Sequence, residues 1–120
     1  MNTTATDKTQ LKGRTGQIEE EPVMADAEVL KVLEEHLVAP LSGNPHVLMI
    51  AAEKDVEGWQ VWVFTDSRAP EVTLPVAEQI GEVYDTIHGQ GFAAPIDNHI
   101  WQWHEELRSR TQDMLILHGG

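Results

Sequence analysis

The fold class this sequence predicts is α+β: a small sheet built around a central β-hairpin, with helices packed on it. Three observations predict it. Two runs rich in strand formers, "HVLMIAAE" and "WQVWVFT", are separated only by the turn-forming "KDVEG". Two segments, one opening at Asp26 and one at Thr73, repeat apolar residues at three- and four-residue spacing. The 120-residue length suits one hydrophobic core of ordinary size.

Residues 1 to 22 hold only Met1, Leu11 and Ile18 as sizeable apolar side chains among Thr, Gln, Lys and Glu. They cannot bury enough surface to offset their ordering entropy, so a disordered tail is expected there and a single α+β domain over 23 to 120. The first helix is expected to begin at Asp26 as N-cap, with Val29, Leu30, Leu33 and Leu37 on its apolar face and Lys31, Glu34 and Glu35 on its wet side. Pro40 disfavours helical geometry at Ala39, and "PLSGNP" reads as a loop.

Both faces of the two strands are apolar, which places the hairpin in the middle of a sheet covered on both sides. After "DSRAPEV", Thr73 is expected to cap a helix with Pro75 in its first turn and Val76, Ile80, Val83, Tyr84 and Ile87 on one face, ending at Gly89 and Gly91. "FAAPI" alternates as a third strand, and Pro95 restricts it to an edge or an end. "IDNHIWQWHEEL" is expected to be a helix capped by Asn98, with Ile100, Trp103, Leu107 and Met114 on one side. "MLILHGG" is either its last turns or a short closing strand. The expected order is therefore helix, hairpin, helix, short strand, helix.

The formal charge is −12. Beyond residue 23, Lys31, Lys54, Arg68, Arg108 and Arg110 face sixteen carboxylates, about −11 for that part. A charge of this size repels phosphate backbones and anionic lipid, so direct nucleic-acid binding and membrane attachment are not expected. The longest apolar run, Val47 to Ala52, is far short of the ~20 residues that cross a bilayer. There is no cysteine, which removes disulfides and thiolate ligands. A cytoplasmic location and no cofactor are the expectation.

His99 and His104 are five apart, which on a helix separates them by roughly 140° and does not make the i, i+4 pair of a zinc helix. His36, His46, His88 and His118 are scattered, and no compact metal-ligand spacing appears. Ser42, Ser67 and Ser109 lie in no nucleophile elbow. "GRTG" and "HGQG" are not phosphate-binding loops. Trp62 and Trp103 fall in apolar periodicity and are expected in the core. Trp59 and Trp101 fall off the main stripes and are expected at the surface, where they would anchor a partner.

Asp55 and Glu57 precede a strand, and Asp97 adjoins a further strand after the middle helix. In that order the carboxylates resemble those of small nucleotidyltransferase-like domains, over residues 46 to 120. The resemblance implies two divalent ions held by Asp55, Glu57 and Asp97 against a triphosphate. The Gly-Ser pair that such domains place before their carboxylates is replaced here by "IAAEKD".

The leading expectation is a small acidic binding module without catalytic activity, of adaptor, chaperone or inhibitor type. Its partner would be a protein with a basic or mixed basic and apolar surface, steered by charge and anchored on Trp59 or Trp101. The alternatives are a degenerate or active nucleotidyltransferase-like or metal-binding domain using Asp55, Glu57 and Asp97, an inhibitor that mimics nucleic acid to occupy a DNA-binding protein, and a structural homodimer.

Overall fold

The hairpin forms as its apolar runs dictate. In the computed structural model, which describes residues 22–93 and 96–119, β1 (Val47–Lys54) and β2 (Trp59–Thr65) pair antiparallel, with Val61 opposite Ala52 and Val63 opposite Ile50. They are the two inner strands of a four-stranded sheet of order β3-β2-β1-β4. The fold is α+β. The proposed tail falls almost wholly outside the described residues.

The first helix, α1 (Asp26–Leu33), starts one residue before expectation: extended Ala25 is the N-cap, and Asp26 lies in the first turn, where a carboxylate favours the exposed backbone N–H groups. Val29, Val32 and Leu33 are buried. Pro40 does not end the helix. A π-helical turn (Glu34–Val38) widens it and a last turn, α2 (Ala39–Leu41), follows. The carbonyl of His36, which a residue-40 amide would reach in a regular α-helix, accepts a 2.7 Å hydrogen bond from Gln79 Nε2 instead. The proline's missing donor is thereby replaced by a side chain of the neighbouring helix.

That neighbour, α3 (Pro70–Gly89), begins three residues before Thr73, with Pro70 at its first position and Ala69 as N-cap. Val72, Val76, Ile80, Val83 and Ile87 are its buried face. Together α1, α2 and α3 cover one face of the sheet, packing on Ile50, Ala52, Val61, Val63 and Ile96. Each fully buried aliphatic side chain in this layer contributes about 1.5–3 kcal/mol before the cost of ordering.

The largest departure from expectation lies in the last quarter. Residues 96 to 102 are not a helix but the edge strand β3 (Ile96–Gln102), parallel to β2. Tyr84 of α3 fixes this strand: its hydroxyl donates to the carbonyl of Ile96 and accepts from Asn98 Nδ2 at 3.0 Å. Asn98, expected as a helix cap, thus points from the strand to the helix. A 3₁₀ turn (Glu105–Leu107) and one helical turn, α4 (Arg108–Thr111), lead to β4 (Leu115–Gly119), the closing strand, antiparallel to β1 on the other edge. Gly119 adopts φ +74°, and a Cβ there would fall on the carbonyl oxygen of Leu48, so the end of β4 requires glycine.

Candidate functional site: the helix-free face of the sheet

Strand parity decides what the second face carries. Parallel pairing of β2 with β3 sets Gln60 opposite Asp97, Trp62 opposite His99 and Phe64 opposite Trp101. Alternate residues point to opposite faces, so these six lie together on the side that the helices do not cover. The imidazole of His99 stacks on Trp62 (centroids 5.0 Å, planes 22° apart). Trp101 meets Trp62 and Phe64 edge-to-face at 6.3 and 6.4 Å, and Trp103, just past the strand, meets Phe64 at 5.4 Å. The offset and T-shaped contacts are those favoured by aromatic quadrupoles.

Met49, Ala51, Trp62 and Phe64 are buried at the base of this layer, while His99, Trp101 and Trp103 remain half-exposed. Among the described residues, the cover is the short segment carrying Leu107 and Met114. From it Arg108 lies over Trp103 (5.7 Å from guanidinium carbon to ring centroid) and Arg110 over Trp101 (5.4 Å). Arg108 is held by a two-pronged pair with Glu105, donating from Nε at 2.9 Å and Nη2 at 2.8 Å. That pairing keeps the Glu105 carboxyl below its ordinary range. Trp62 Nε1 is buried without a hydrogen-bond partner among the described residues.

At one end of the aromatic row stands a polar cluster centred on Gln60. Its amide nitrogen donates to Asp55 Oδ2 and Asp97 Oδ2, both at 3.1 Å, and its carbonyl oxygen lies 2.8 Å from His99 Nε2. Asp55 closes the hairpin turn by accepting from the N–H groups of Glu57 (2.8 Å) and Gly58 (2.9 Å). The Glu57 N–H is the first cause of a lowered Asp55 pKa, and the Gln60 amide adds to it. Beside Trp101, along the outer edge of β3, a hollow of about 330 Å³ is lined by Arg68, Ile100, Trp101, Gln102, His104 and Leu107.

Of the residues named from sequence, Asp55 and Asp97 are brought to one side chain, Gln60, and Glu57 sits in the turn with only its backbone engaged among the described hydrogen bonds. No group of three or more described His, Asp or Glu residues is placed to hold a metal ion. Trp101 lies at the centre of the open face. The surface position expected for Trp59 is not found: it is 7% exposed, packed in the helix-side core, with Nε1 donating to Asp26 at 3.3 Å and Lys54 Nζ over its ring at 5.9 Å. Its parity is that of Val61 and Val63, which points it to the helices. Trp103, expected in a helical core stripe, is half-exposed on the other face for the same reason of parity.

Gln60, Arg68 and Arg110 are not among the site candidates read from sequence, and His104 enters there only as one of a histidine pair five residues apart. Gln60 carried a signal, as the one polar position in a strand otherwise apolar up to Thr65. The arginines carried none, because Arg110 reaches Trp101 only when the segment after β3 folds back and Arg68 only when β3 lies beside the β2–α3 connection. No family model matches the chain, and no curated protein is similar to it. No described helix is long and apolar enough to cross a membrane.

Proposed function

We propose that the chain is a non-catalytic protein-binding module whose contact surface is the helix-free face of the sheet, centred on Trp101. One observation carries the reading: α1, α2 and α3 layer one face of the sheet, while among the described residues the other has only the short segment around α4 over contacting rings of which His99, Trp101 and Trp103 are half-exposed. Half-exposed aromatics with arginines beside them are the usual composition of binding hot spots. The acidic helix layer, with Glu28, Glu34, Glu35, Glu78, Glu82 and Asp85 all exposed, would steer a basic partner and exclude acidic ones.

Affinity capture with three baits tests this: the native chain, a Trp101→Ala variant, and a Glu78→Lys/Glu82→Lys variant, each eluted by stepped salt. The reading expects proteins retained by the native chain to be lost with Trp101→Ala and kept with the helix variant. The opposite pattern, with release at low salt, would favour mimicry of nucleic acid by the acidic layer.

A second reading rests on the bridging of Asp55 and Asp97 by Gln60. It makes the chain a sterile relative of nucleotidyltransferase-like domains, with an amide between the carboxylates where a cation would sit. Thermal denaturation with Mn²⁺ and nucleotide is the check: a raised midpoint in the native chain would argue for retained ligand binding, since ligands of the native state stabilise it.

A further inference from the structure

The described part of the chain has five Lys or Arg side chains, and three of them lie near Trp101 and Trp103: Arg68 on the wall of the 330 Å³ hollow, Arg110 over Trp101, and Arg108 over Trp103. Their pairing differs. Lys54 is bound to Asp26 and Arg108 to Glu105, whereas Arg68 and Arg110 have no carboxylate within 4.0 Å among the described residues. In so acidic a protein, unpaired Arg68 on the wall of the hollow and unpaired Arg110 over the ring of Trp101 hold charge and donor capacity that no described group uses. His104 and Gln102 add further donors on the same wall.

The remaining lining is apolar: the indole of Trp101, with Ile100 and Leu107. A hollow near 300 Å³ lies at the small end of ligand pockets. We propose that it is a binding site for an organic carboxylate whose apolar or aromatic body lies against Trp101, while its charged group is met by Arg68, with Arg110 over the same indole adding positive potential. Guanidinium forks match the planar carboxylate. The apolar wall makes a bare inorganic anion a poor occupant, and the two arginines repel a cation of the same shape. The carboxylate has two chemical sources, a free aromatic acid or the C-terminus of a polypeptide ending in an apolar residue. The inference does not depend on the protein-binding reading, because its probe is a small molecule.

The test follows the indole N–H resonance of Trp101, assigned with Trp101→Phe, by nuclear magnetic resonance on the full chain. The probes are indole-3-propionate, tryptamine, inorganic phosphate, and a tripeptide ending in phenylalanine with a free or an amidated terminus. The proposal expects indole-3-propionate to shift the Trp101 signal and tryptamine to leave it in place. Arg68→Gln/Arg110→Gln, two exposed positions whose replacement spares the core, should weaken the carboxylate by about tenfold or more. A response to the free but not the amidated tripeptide adds support for a polypeptide source, and a response to indole-3-propionate alone supports a free acid. Equal response to tryptamine, an unchanged affinity in the double variant, or no carboxylate response overturns the proposal. A phosphate response as strong as that of the carboxylate overturns the role given to Trp101.

Discussion

His99 is held flat on Trp62 by Gln60, whose carbonyl oxygen lies 2.8 Å from the imidazole Nε2 while its amide nitrogen is anchored on two carboxylates. The stack therefore depends on a polar relay from the hairpin turn. Replacing His99 by Phe keeps the ring and abandons the bond, whereas His99→Ala removes both. Thermal denaturation should show His99→Ala destabilised by roughly 1–2 kcal/mol and His99→Phe by less, since an aromatic pair contributes about 0.5–1.5 kcal/mol beyond area. Equal losses would mean that stacking contributes nothing.

Gln60 separates Asp55 from Asp97. In Gln60→Glu the two donated bonds vanish and a third carboxylate enters between the first two, so the expected loss is about 1–2 kcal/mol, or roughly 5–10 °C in Tm for a chain of this size. Mn²⁺ should restore part of that loss in the variant. A variant as stable as the native chain without metal would contradict the relay.

Trp59 and Trp101 should behave unlike each other. Trp59→Ala opens a cavity in the helix-side core and is expected to cost about 3–5 kcal/mol. Trp101→Ala, on a half-exposed ring, should cost about half of that or less. Urea denaturation compares them directly, and similar midpoints would argue against the burial assigned to Trp59.

Three carboxylates, Asp26, Asp55 and Glu105, titrate below their ordinary range, held respectively by the Lys54 ammonium, by the Glu57 backbone N–H and by the Arg108 guanidinium. In each case the unfolded chain takes up protons at a higher pH than the folded one, so stability rises with pH through this window. Their contribution is complete above the ordinary carboxylate pKa of about 4 and is lost as pH falls through the lower folded values. Denaturation between about pH 5 and pH 2 should show this acid-side loss. It should be shallower in Asp55→Asn, and an unchanged slope would contradict the role of the turn bonds.

The hairpin and α3 were legible because their signals are local: strand formers on either side of a five-residue turn, and apolar residues recurring every third or fourth position. The stretch from 96 to 104 was not. Ile100, Trp103 and Leu107 suit a helical stripe as well as Ile96, Asn98 and Ile100 suit one strand face, and only pairing with β2, more than thirty residues away, decides between them. The misplacement of Trp59 and Trp103 followed from the same limit, since a side chain's face is known only once its strand's neighbours are. The link from Asp55 to Asp97 was partly visible in their order along the chain, but Gln60 joins them only across the finished sheet.

The face that meets a partner can be read by hydroxyl-radical footprinting of the chain, free and bound to a captured protein. The account predicts that oxidation of Trp101, Trp103 and Leu107 falls on binding while that of Leu74, 60% exposed on α3, stays as it was. Protection of Leu74 with Trp101 unchanged would contradict it and move the contact surface to the acidic helices.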